Sequence, residues 1–599
     1  MQNNSIFVVL MKKLFFKHKY SDWKSNINDS KKKILLLGLV IGLLAGIAAV
    51  VLKTAVHYMG AVLTNFFDRT SINYLYLAAP LFGILITVIF IKNFIREDIS
   101  HGIGKILYSI SQKGSKIKLH NTYSSIVGCI FTVGFGGSAG LEAPILFTGS
   151  AIGSNFGQYF KLNYKTTTLF IACGTSGAMA AIFKAPIAGL IFSLEVLMID
   201  LTSGMIIPVL ASSVTGTVVA SFLLGKQVEF YFAIHEPFNL TLLPFYIILG
   251  LASGLVSLYY TRTDLFIEKA FKSRYNPYKK VIVGGLALGL LIFIFPPLYG
   301  EGYEAMRSIL SGNAPDLLNS SYFYPFRNSN FLLIGILVAI LLFKVVASAI
   351  TTGSGGIGGI FAPSLFMGGL TGFIIAKSIN MTGLVQLSEL NYTLVGMAGL
   401  IAGVIHAPIT AIFLIAEITG GYDLFIPLII TSTLSYITSK HFEPHSIYTK
   451  KLALKGQLLT LNKDQAILTL LETSSVIEKD LIPIYPEANL GHIVNIIAKS
   501  NRNTFPVVDH ENYFMGIVSL DNIRNIIFDK SLYQTILVQD IMTQPLDAVS
   551  TTDPMEKVMT KFQESGLWNM PVIDNGKYVG FVSKSNVLSA YREKLKEFY

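Results

Sequence analysis

One carboxylate stands inside a pattern that the chain writes twice. Gly140-Leu141-Glu142-Ala143-Pro144-Ile145-Leu146-Phe147 is followed by Gly149 and Gly153. Gly359-Ile360-Phe361-Ala362-Pro363-Ser364-Leu365-Phe366 is followed by Gly368 and Gly372. Both read G-x-x-A-P-x-L-F-x-G-x-x-x-G, but where the first copy holds Glu142 the second holds Phe361. The prolines stand where a first helical turn accepts one. A helix start leaves about four N–H groups unpaired and carries roughly half a positive charge, which makes it a ready anion seat. Repeated helix starts with one ionisable group in an apolar run point to an ion path. Glu142 is itself an anion, so it can occupy such a seat, block it, and release it on protonation. That makes it gate and proton acceptor together. The plainer alternative is a glutamate that only caps its helix.

A second matched pair supports a duplication. Gly174-Thr175-Ser176-Gly177 leads to Ala185-Pro186 and Glu195; Gly396-Met397-Ala398-Gly399 leads to Ala407-Pro408 and Glu417. The internal spacings agree, and the offset of 222 is close to the 219 of the first pair. Whether the halves are inverted is not encoded in this pattern. Glu195 and Glu417 read as capping or pairing groups rather than proton carriers.

These motifs need a membrane to sit in. Charged residues make up 14% of the chain, against about 25% in soluble domains, and mean hydropathy is +0.56. Long apolar stretches at 34–58, 74–95, 245–260, 281–297 and 331–350 approach or exceed what one crossing needs. Shorter stretches broken by Gly or Pro fill the rest of 34–454, as at a mid-membrane transport site. Asp is nearly absent from the spans, with Asp200 at a span end. Cys129 and Cys173 read as small buried thiols. Lysines crowd residues 1–33 and mark a cytoplasmic N-terminus rather than a nucleic-acid site. After 454 the charge density becomes that of a soluble domain. A linker, 455–473, precedes two similar units, 474–533 and 534–599. Each reads as strand, turn, strand, then a helix capped by Ser.

These residues resemble the CLC family of chloride channels and chloride/proton antiporters. Its three anion-site motifs are matched by Ser100-His101-Gly102-Ile103-Gly104, by Gly140-Leu141-Glu142-Ala143-Pro144 and by Gly359-Ile360-Phe361-Ala362-Pro363. The tail is similar to paired CBS domains. The resemblance implies an all-α multi-span membrane domain with broken helices, an α/β cytosolic CBS pair, a homodimer among membrane lipid, and no enzyme activity. It implies chloride or a similar small anion held by His101, Gly102, Gly140, Leu141, Gly359, Ile360, Phe361, Ala362 and Tyr448, with Glu142 as gate and no metal. It also implies the plasma (inner) membrane, with both termini cytoplasmic.

Four departures stand out. His101 replaces a serine; its imidazole can donate to an anion or be a core histidine. Leu141 replaces a basic residue and Ala143 a glycine. Val196, in Phe192-Ser193-Leu194-Glu195-Val196, stands where proton-coupled members carry an inner glutamate. Valine relays no protons, so the expected function is a chloride channel. The alternative is a chloride/proton antiporter, with a CBS-regulated cation transporter or a membrane enzyme as remote rivals. An adenine nucleotide at the CBS pair would meet Ser519 with Asn522 and Ser583 with Asn586. Asn lacks the carboxylate such sites offer a ribose.

Overall fold

A computed structural model describes residues 30–64, 74–97, 99, 102–198, 203–225, 238–274, 276–319, 321–327, 329–453, 468 and 471–598. The chain divides into two compact units, Met1–Leu458 and Leu459–Tyr599. Each is described by itself.

The first unit is helical. Its first half runs α1 (Lys31–Thr64), α2 (Leu75–Phe90), α3 (Gly102–Gln112), α4 (Ser124–Gly134), α5 (Glu142–Phe160), α6 (Tyr164–Phe183), α7 (Pro186–Glu195) and α8 (Ser203–Leu224). The second runs α9 (Leu243–Arg274), α10 (Pro277–Ile294), α11 (Tyr303–Leu310), α12 (Asn330–Gly353), α13 (Phe361–Asn380), α14 (Glu389–Ile405), α15 (Pro408–Ile418), α16 (Phe425–Phe442) and α17 (Lys450–Ala453). Eight helices among the described residues are long and apolar enough to cross a membrane. α9 continues well past the apolar stretch at 245–260, because Arg262, Asp264 and Glu268 extend the helix where hydropathy ends. Asp200 lies outside the described residues.

The duplicated motifs become duplicated helix crossings. A Cβ on Gly153 would fall 1.9 Å from the Phe170 carbonyl oxygen, and one on Gly372 1.8 Å from that of Tyr392. Gly149 meets Gly174 in the same way, and Gly368 meets Gly396. Backbones approach this closely only where side chains are absent. The spacing G-x-x-x-G therefore fixes α5 against α6 and α13 against α14. Both partner helices end in a left-handed cap before Ala-Pro, at Lys184 (φ 57°) and His406 (φ 61°).

The halves are inverted. Glu195, at the end of α7, accepts hydrogen bonds from the N–H groups of Ile409 (3.1 Å) and Thr410 (2.7 Å) at the start of α15. Glu417, near the end of α15, accepts from Ile187 (3.0 Å) and Ala188 (2.8 Å) at the start of α7. Each helix thus ends at the other's beginning, so equivalent helices run antiparallel. Each carboxylate satisfies N–H groups that the other helix leaves orphaned.

The second unit holds two copies of one motif. The first has α18 (Leu490–Lys499), β1 (Thr504–Val508), β2 (Phe514–Ser519) and the short α19 (Leu520–Ile523); α20 (Val538–Ile541) follows. The second has α21 (Met555–Ser565), β3 (Asn569–Asp574), β4 (Lys577–Ser583) and α22 (Lys584–Phe598). Both strand pairs are antiparallel and shift register at equivalent points, Val507/Val508 and Val572/Ile573. A third extended segment pairs in parallel with each, through Ile484 and Val549. The cores exchange residues: Leu471 and Val476 pack with the second copy, Val538 with the first. The helices after β2 and β4 are unequal in length, although both open on Ser.

Candidate functional site

The two motif copies meet through their glycines. Gly140 and Gly359 form an antiparallel bridge, with N–H to carbonyl distances of 2.8 and 2.7 Å. Immediately afterwards α5 starts at Glu142 and α13 at Phe361. A third start joins them, because Gly102 opens α3 against the Ala143 carbonyl and the Phe147 side chain. Three helix N-termini therefore converge on one buried spot. Their N–H groups point positive charge into it.

Glu142 is wholly buried at this junction. Its Oε1 accepts the Tyr303 hydroxyl at 2.5 Å. Its Oε2 closes no hydrogen bond of normal geometry, although the main-chain N–H groups of Glu142 and Ala362 lie near the carboxylate. A Cβ on Gly140 would sit 1.9 Å from Oε2. Only glycine lets the carboxylate fold over its own helix start. On the other motif copy, Phe361 is equally buried, its ring 5.4 Å from that of Phe183. One half presents a titratable group and the other an apolar wall.

Beside the junction lies a cavity of about 920 Å³. Its lining includes Ala143, Gly359, Ile360 and Tyr448. The Tyr448 hydroxyl is buried with no hydrogen-bond partner among the described residues. A buried, unpaired donor is costly and fits an anion acceptor. Tyr260 reaches the Ile360 carbonyl at 3.5 Å.

Most of the residues expected from sequence thus gather here: Gly102, Gly140, Leu141, Glu142, Gly359, Ile360, Phe361, Ala362 and Tyr448. Leu141 and Ile360 are the residues just before α5 and α13. Ser100 and His101 lie outside the described residues. Val196 is elsewhere, buried at the end of α7. Its neighbour Glu195 has both oxygens engaged at α15, Oε2 also accepting the Thr410 hydroxyl at 2.7 Å.

Sequence reasoning missed two groups here. Tyr303 lies outside both motifs, as the first residue of α11. Lys344, fully buried on α12, donates to the carbonyls of Leu298 (3.2 Å) and Gly300 (3.0 Å) and so ties down the turn that delivers Tyr303. A lysine inside the apolar stretch 331–350 is the signal that could have found it. Among the described residues no cluster of three His, Cys, Asp or Glu side chains offers a metal site.

In the second unit the Ser/Asn pairs serve their own helices. Ser519 and Asn522 form a reciprocal capping box. Ser583 donates to Glu478 and accepts the Asn586 N–H at 3.1 Å, while the Asn586 side chain donates to the Val476 carbonyl at 2.9 Å.

Known proteins resemble this chain in sequence and fold. Residues 82–440 match the voltage gated chloride channel family, and 474–529 and 538–593 match the CBS domain. Chloride channel protein CLC-f of Arabidopsis thaliana is 26% identical, over 89% of this chain and 73% of its own. The H(+)/Cl(-) exchange transporter ClcA of Vibrio cholerae is 27% identical, over 71% of this chain and 91% of its own. The crystal structure of a slow cyanobacterial Cl-/H+ antiporter superposes with a TM-score of 0.60 at 23% identity, over 70% of this chain and 97% of its own. On the match across well over half its length, the chain belongs to the voltage gated chloride channel family, an anion channel or transporter of the membrane and not an enzyme.

Proposed function

We propose that the chain carries chloride across a membrane in exchange for protons. Glu142 would both guard the anion seat and carry the proton. The observation that supports this most directly is the Glu142 carboxylate, buried against the joined helix starts with one oxygen unpaired. An ionised carboxylate there takes the place of the halide. Once protonated it loses that advantage and yields the seat. Chloride would be held by the N–H groups around Ile360, Phe361 and Ala362, by the Tyr448 hydroxyl, and by His101. Helix ends bind an anion without a buried lysine, so the halide can leave again.

Val196 by itself favours a passive channel, and that reading is the second one. The likeness to ClcA, an H(+)/Cl(-) exchange transporter, moves the balance to exchange. Lys92, Arg96, Lys105, Lys280 and Lys451 at the cavity support a cytoplasmic side for it by the positive-inside rule. Both termini would lie on that side, in the plasma (inner) membrane. The working unit would be a homodimer, each subunit with its own path.

A reconstituted assay reading chloride and protons together tests the reading. A chloride gradient that drives protons against their own gradient supports exchange. Chloride flux with no proton movement overturns exchange in favour of the channel.

A further inference from the structure

We propose that Asp264 is the inner proton-transfer residue, the carboxylate that trades protons with Glu142 where Val196 supplies none. The inference rests on the exchange reading above. Three side chains recur every fourth residue along α9: Tyr260, Asp264 and Glu268. That spacing places them on one helix face, about 6 Å apart along the axis. The line has a direction. Tyr260 touches the Ile360 carbonyl at the anion seat. Glu268 is ion-paired with Lys451 and lines the cavity. Asp264 stands between them, 6% exposed, and lines the same cavity as Tyr448 and Ile360.

A buried carboxylate between an anion seat and a water-accessible cavity is expensive and reads as functional. Both Tyr260 and Tyr448 lie within electrostatic reach of Asp264 and of Glu142, so each of the two hydroxyls has both carboxylates in its neighbourhood. From other elements Lys92, Arg96, Glu97, Lys105, Lys280 and Lys451 also face the cavity. Five of these six are cations, so the charge lining the cavity beside Asp264 is mostly positive. The step balances simply. One proton leaves the Asp264 carboxyl, passes through cavity water and tyrosine hydroxyl, and binds the Glu142 carboxylate. The negative charge moves from Glu142 to Asp264, and no other reactant takes part.

Full-length protein in liposomes tests this. Wild type comes first: if it moves no protons with chloride, the exchange reading fails, and Asp264 has no step to serve. If wild type is coupled, Asp264→Asn is expected to cut proton movement at least about tenfold while chloride flux falls far less. Asp264→Glu restores coupling, and so does Val196→Glu added to Asp264→Asn. Unchanged coupling in Asp264→Asn overturns the proposal. So does an equal fall in both fluxes, which marks a merely structural carboxylate. If Asp264→Asn does not assemble, Asp264→Ser is judged by the same ratio of proton to chloride flux.

Discussion

The two halves of the membrane unit share a frame and differ in one side chain that matters. In both, a bridged glycine leads into an Ala-Pro helix start, a glycine pair locks that helix to the next, and a glutamate caps the opposite half. Yet one start carries Glu142 and the other Phe361. The shared features are those that would build the proposed anion seat. The difference is what would give that seat a control. Two carboxylates would repel each other and the halide, and two phenyl rings would leave nothing to titrate.

Removing that difference should have the largest effect. Glu142→Gln keeps the shape but neither charges nor carries a proton. Chloride flux should persist and lose its dependence on pH, and proton movement should fall by about a hundredfold. Paired flux traces across a pH series check this. A mutant whose chloride flux still follows pH would remove Glu142 from the gate and reduce it to a cap.

The shared frame can be broken on either side with matched substitutions. Gly153→Ala and Gly372→Ala each push a methyl group onto a backbone oxygen of the partner helix. A backbone cannot rotate away, so each should cost about 1–3 kcal/mol or more. If the repeat is mechanically symmetric, the two losses in thermal stability agree to within about 1 kcal/mol. A large loss on one side only would mean that one crossing carries the fold.

The caps test the comparison more gently. Glu195→Ala and Glu417→Ala each orphan two N–H groups, at about 0.5–2 kcal/mol per lost cap. Both should lower stability alike and leave the ratio of proton to chloride flux unchanged. A change in that ratio for Glu195→Ala alone would give this carboxylate the transport role that its hydrogen bonds argue against.

What the chain reveals by inspection follows how local each signal is. The Ala-Pro starts, the G-x-x-x-G crossings and the strand-turn-strand units are set within a few residues, so they are legible. Asn575-Gly576, both at positive φ, makes a hairpin turn that could be read directly. The inversion of the halves was not legible, because two copies of a motif look the same whichever way their helices run. Tyr303 reaches Glu142 from 161 positions away, and nothing near either residue announces the other. Asp264 escaped notice because the apolar stretch stops at Tyr260, while the helix and its buried face go on.

The second unit allows the smallest and finest comparison, since its two copies also share a frame with one altered contact. Asp574 ends β3, and Asp509 directly follows the equivalent strand β1. Asp574 accepts the Ser550 and Thr551 hydroxyls, at 2.6 and 2.5 Å, whereas Asp509 accepts the N–H groups of its own turn, at Glu511 and Tyr513. The equivalents of Ser550 and Thr551 in the first copy are Tyr485 and Pro486, which offer no aliphatic hydroxyl. The Ser550 hydroxyl first, and that of Thr551 with it, hold the Asp574 carboxyl below its ordinary value of 3.8. A depressed carboxyl stabilises the fold above its unfolded value, and that contribution is lost as pH falls through the folded one. Acid should therefore loosen the tie between residues 550–551 and the end of β3 only below about pH 3.8. Asp574→Asn should weaken the same tie already at neutral pH, because an amide cannot accept from both hydroxyls through two charged oxygens. Hydrogen exchange of residues 548–552, compared with residues 483–487 in the same full-length protein, reads the effect. Equal protection of the two segments in Asp574→Asn at neutral pH would show that the hydroxyl contacts do not distinguish the copies.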